Sequence, residues 1–108
     1  MVLTRSFKDF IKAKIESEPE FRQALFQEAV QTLLAGDAET ARAVLRDYIN
    51  ATIGFAALAK ATGTPPKSLM RMFGPHGNPT AANLSGVIAA LQEKTSVHLE
   101  VRAIASAA

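Results

Sequence analysis

The chain has 108 residues, a formal net charge of +2 and no cysteine. That length suits one domain able to bury its own core, and the missing thiols exclude both thiolate zinc fingers and a disulfide framework. No stretch approaches the roughly 20 apolar residues that span a bilayer, and the basic opening lacks the apolar run of a secretory signal. The expectation is therefore a cytoplasmic protein, and its alanine-rich apolar content favours an all-α fold.

In chain order, Phe7, Phe10, Ile11 and Ile15 recur at helical spacing and predict a first amphipathic helix. Ser17 ends it and, with Glu20 three residues on, forms a capping-box pattern for the next helix, in which Pro19 fits the first turn. That second helix should bury Phe21, Leu25, Ala29 and Leu33, with Phe26, Val30 and Leu34 widening the stripe. Gly36 is a stop signal and Asp37 a cap for a third helix, with a buried stripe of Ala41, Val44, Leu45, Tyr48, Ile49 and Thr52. A fourth helix follows over 55–62, then the turn Gly63-Thr64-Pro65 and a fifth helix opening at Pro66. The run Gly74-Pro75-His76-Gly77-Asn78-Pro79 must be a connection. Thr80 then caps a last helix buried through Leu84, Val87, Ile88 and Leu91. In the tail, Val97, Leu99 and Val101 alternate with His98, Glu100 and Arg102, which predicts a β-strand over 96–103 that should pair with a second copy or a partner's sheet edge, the other reading being a disordered tail, above all over Ala105 to Ala108. The whole reads as one domain, 1–108: an N-terminal helical extension over 1–36, a helical bundle over 37–92, and the tail strand.

Within the bundle, the segment 54–73, GFAALAKATGTPPKSLMRMF, has the spacing of a DNA-binding helix-turn-helix. Two short helices crossing steeply need a small residue where their backbones meet, which Ala59 supplies. The corner four positions later needs positive φ, which Gly63 tolerates. Leu58, Leu69 and Met72 then anchor both helices, leaving Pro66, Lys67, Met70 and Arg71 outside. Charge follows the same pattern: between Asp47 and Glu93 there is no acid, while Lys60, Lys67 and Arg71 all fall in that window. The acids before it are interleaved with cations, so positive potential concentrates on the two-helix unit, where a phosphate backbone is favoured.

Ala56-Ala57-Leu58-Ala59, Thr62-Gly63, Ser68-Leu69 and above all Gly77-Asn78-Pro79-Thr80 give the chain a resemblance to lambda-repressor-like helix-turn-helix proteins. More narrowly, it resembles the addiction-module antidote (antitoxin) regulators, a likeness that extends into the helices from Pro19 and Asp37. The resemblance implies a homodimer on a palindromic double-stranded DNA operator, repression of its own operon, and a small cognate toxin as partner. It places Pro66, Lys67, Met70 and Arg71 nearest the bases, and Asn78, Thr80 and Asn83 facing the backbone. Two positions depart from the family pattern. Pro65 stands where a polar cap is usual, and Phe55 stands at a first position that is often polar.

Chemically, Arg71 can donate two hydrogen bonds to guanine O6 and N7, worth about 1–3 kcal/mol of discrimination. Lys67 can reach base or phosphate, Met70 a thymine methyl, and Lys60 and Ser68 phosphate. Asn78, Thr80 and Asn83 combine side-chain donors with free amides at a helix start. Each also has a structural reading, as solvated surface, packing residue or cap. His76 and His98 lack companion ligands for a metal, no cofactor is expected, and no nucleophile–base combination argues for an enzyme. Two alternatives stay open. One is a protein-interaction module that keeps the fold with a weakened reading surface; the other is a general repressor unrelated to toxins.

Overall fold

Caps and prolines set most of the helix boundaries in the computed structural model, which describes residues 2–107, with side chains over 9–107. Six helices follow one another: α1 Val2–Ser17, α2 Pro19–Leu34, α3 Ala38–Ala51, α4 Gly54–Thr62, α5 Pro66–Met72 and α6 Ala81–Thr95. Asp37 caps α3 as its sequence position predicts, accepting from the Thr40 amide at 3.2 Å. That interaction with Thr40 holds the exposed Asp37 carboxyl below its ordinary value. Thr80 caps α6 in the same way, its hydroxyl accepting from the Asn83 amide at 3.1 Å. Pro19 and Pro66 occupy first turns, where a missing amide costs nothing.

The expected capping box at Ser17 does not form. The N-cap of α2 is Glu18, without a side-chain cap, because α1 runs through Ser17, whose hydroxyl donates back to the Ala13 carbonyl at 2.8 Å. The junction is closed by Arg22 instead. Its guanidinium donates to the Ile15 carbonyl at 3.1 Å, where a cation suits the negative end of α1.

The core joins Phe26 and Ala29 of α2, Leu45, Tyr48 and Ile49 of α3, Leu58 and Ala59 of α4, Leu69 and Phe73, and Val87 and Leu91 of α6. Phe26 and Tyr48 stack with ring centroids 4.7 Å apart, and the Tyr48 hydroxyl donates to Thr95 Oγ1 at 2.9 Å, tying α3 to the end of α6. The α2 stripe is rotated from the expected one: Phe26 is fully buried, while Phe21, Leu25 and Leu33 are half-buried and Leu34 is exposed. On α1, Ile15 is buried and Ile11 half-buried but Phe10 is exposed; the Phe7 side chain lies outside those described.

The expected tail strand is a correction. Among the described residues there is no strand, and after α6 the chain has no regular structure. The period-2 pattern is nonetheless used. Ser96 takes a left-handed conformation (φ 56°), and Val97 and Leu99 then pack half-buried against the core while His98 and Glu100 face solvent. The Val97 amide donates to the Gln92 carbonyl and the Leu99 amide to Gln92 Oε1. Alternation thus reports that Val97 and Leu99 face the helices; pairing into a sheet requires a second strand, which one chain does not supply.

Candidate nucleic-acid interface

The unit α4–turn–α5 is built around Gly63, which ends α4 in the left-handed region at φ 72°, its amide donating to the Ala59 carbonyl at 2.8 Å. A side chain is strained there, so glycine makes the corner. Leu58, Ala59 and Leu69 are buried and Met72 half-buried, so the anchors of both helices point inward. With Leu69 and Phe73 fixed in the core, the helical period places Lys67, Met70 and Arg71 together on the opposite face of α5.

Exposure agrees. Lys60, Pro66, Lys67, Met70, Arg71, Asn78, Thr80 and Asn83 are all exposed, and Ser68 is half-buried beside the core face. Among the described residues the ion pairs are Lys14–Glu18 and Glu93–Lys94, so Lys60, Lys67 and Arg71 carry no carboxylate partner. All three cations of the acid-free window are therefore available to an outside anion. Thr80 is committed: its oxygen is occupied by the Asn83 amide, which removes one donor from the α6 start.

Phe55 and Pro65 have different structural outcomes. Phe55 turns inward and packs on Phe73, centroids 6.2 Å apart, so it supports the end of α5 rather than a contact surface. Pro65 is the N-cap of α5 and offers no side-chain cap.

Two further features escaped the sequence. Arg46 of α3 donates from Nη1 to the Phe73 carbonyl at 3.2 Å, satisfying the C-terminal end of α5 from 27 positions away. Beside it, Arg42, Arg46 and Glu39 line a cleft of about 250 Å³ against Phe73, Gly74 and Pro75. The Arg42 Nε is buried there without a hydrogen-bond partner. The one signal in the sequence was the four-residue spacing of the two arginines, hidden by the neighbouring acids Glu39 and Asp47. The second feature is Gly77. A Cβ there would collide with the Met72 carbonyl, so the connection passes directly over the last turn of α5.

Among the described residues no cluster of three or more His, Cys, Asp or Glu side chains is placed to hold a metal ion, and no helix is long and apolar enough to cross a membrane. No protein-family model, curated protein or solved structure matches the chain.

Proposed function

We propose that the chain is a lambda-repressor-like, sequence-specific DNA-binding regulator of antitoxin type, acting as a homodimer on a palindromic operator of its own operon. One observation carries the reading: Lys60, Lys67 and Arg71, the only cations between Asp47 and Glu93, are all exposed on the α4–α5 unit and, among the described residues, have no acidic partner. In this mechanism α5 enters the major groove, Arg71 reads guanine, Lys67 and Lys60 neutralise phosphate, and Asn78 and Asn83 contact the backbone at the start of α6. Arg46 and Gly77 act indirectly, holding the last turn of α5 at a fixed angle.

Mobility shift on duplex DNA from the chain's own promoter, with a salt titration, tests the reading. Affinity should fall with salt by a slope of about −0.9 per neutralised phosphate. Lys67→Ala should flatten that slope by about 1 per protomer, and Arg71→Ala should relax discrimination at one base position. Binding indifferent to salt and sequence rejects the proposal.

A second reading, a protein-interaction module, is favoured by the uncapped start of α5 at Pro65 and by Met70, which is 55% exposed. Such a module keeps its partner when Lys67 and Arg71 are both replaced by alanine. A short basic protein encoded in the neighbouring reading frame separates an antitoxin from a general repressor.

A further inference from the structure

The tail after α6 has two of its amides engaged and the next positions of its backbone free to pair. Val97 and Leu99 both aim their amides at Gln92, and in an extended chain alternate residues direct their backbone polar groups to opposite edges. The edge used by Val97 and Leu99 faces α6. The edge belonging to His98, Glu100 and Arg102 is open, and among the described residues no backbone hydrogen bond is made from it. Alongside lies an open cleft of about 640 Å³ bordered by Gln27, His98, Glu100, Val101 and Arg102. Val101 is 77% exposed although it continues the inward-facing series Val97, Leu99.

From this geometry we infer that residues 99–103 pair antiparallel with the same segment of a second copy, in the register that sets Glu100 opposite the partner's Arg102. Charge selects both occupant and register. A segment carrying Glu100 and Arg102 two residues apart is complementary to itself when its two-fold axis passes through Val101. Both salt-bridged pairs then form across the outer face, and Glu100 and Arg102 exchange backbone hydrogen bonds through the open edge. Val101 meets the partner's Val101 as a non-hydrogen-bonded pair, the closer of the two antiparallel spacings. Sliding by one pair in either direction sets Glu100 against the partner's Glu100 or Arg102 against the partner's Arg102. A slip of half that distance turns the polar face of one strand onto the apolar face of the other. Sliding further toward α6 calls on Ser96, whose left-handed backbone is outside the strand.

A two-stranded ribbon alone is marginal, but this one rests on both helical bodies through Val97 and Leu99. The pairing depends on the tail alone. It supplies an interface for the two-copy arrangement of the proposed regulator, yet it stands if duplex binding fails, and duplex contacts through Lys67 and Arg71 stand if it fails.

The test is sedimentation equilibrium on the full chain with charge reversal and exchange. Glu100→Arg should weaken dimerisation roughly tenfold or more, Arg102→Glu likewise, and the double exchange should restore it. Because the chain has no cysteine, Val101→Cys gives a clean register probe: mild oxidation should link two copies, whereas Ala103→Cys, opposite the partner's Leu99, should link far less. These sites are exposed, so the variants keep the fold, checked by circular dichroism. A monomeric wild type, a dimer indifferent to both reversals, or equal crosslinking of the two cysteine variants overturns the inference.

Discussion

Replacing Gly77 with alanine tests whether the 74–79 connection locks α5. The added methyl meets the carbonyls of Met72 and Arg71, which are backbone and cannot swing aside as a side chain would. Either the connection lifts or the last turn of α5 opens, at the expense of bonds such as Gly77 N–H to the Gly74 carbonyl (3.0 Å) or Gly74 N–H to the Arg71 carbonyl (3.1 Å). Overpacking of this kind costs about 1–3 kcal/mol and a lost hydrogen bond about 1 kcal/mol. The smaller unfolded-state entropy of alanine returns about 0.4–1 kcal/mol. The net is a destabilisation of about 2 kcal/mol, or a Tm lower by roughly 8 °C for a domain of this size. Urea unfolding followed by circular dichroism measures it, with an unchanged slope showing that the surface exposed on unfolding is the same. Gly86 supplies the contrast: it sits exposed inside α6, and a methyl group added there would meet nothing within 4 Å. Gly86→Ala should therefore stabilise by about 0.5–1 kcal/mol through helix propensity. If Gly77→Ala falls within about 0.5 kcal/mol of wild type, or the two variants shift stability alike, the locking argument is wrong.

Arg46→Met removes the donor to the Phe73 carbonyl while keeping much of the stem, and should cost about 1.5 kcal/mol. Hydrogen exchange should quicken in α5 more than in α2; uniform quickening would contradict a local clamp. Burial raises the Tyr48 phenol above its ordinary value, with the charge of Arg22 opposing it. The unfolded chain therefore loses this proton first, and stability should be intact below about pH 10 and decline as pH rises toward the folded-state value. Tyr48 is the only tyrosine, so tyrosinate absorbance follows it directly; a phenol ionising at or below its ordinary value would refute the burial argument. Tyr48→Phe should abolish that alkaline decline and cost about 1 kcal/mol at neutral pH through the lost bond to Thr95.

Local chemistry determined a good deal of this protein. Asp37, Thr80, Pro19, Pro66 and Gly63 act within a few residues of themselves, so caps, first turns and the corner before α5 were legible in the residues alone. The exposure of Lys67 and Arg71 was equally legible, because a helix with Leu69 inward must turn its other face to solvent, and Lys60 follows in the same way from Leu58 on α4. Features that depend on distant partners were not. Ser17 lost its cap because α1 continued through it, Phe26 displaced its neighbours by finding Tyr48, and Phe55 turned inward onto Phe73. Arg46 found a carbonyl 27 positions away, and Gly77 proved to be required by the nearness of a helix end. The tail shows the division most plainly. Its alternating pattern singled out Val97 and Leu99, which do face inward, and equally Val101, which is 77% exposed. Whether the pattern is met by helices or by another strand is decided by what lies beside it, and in the folded chain α6, through Gln92, occupies one edge and leaves the other open.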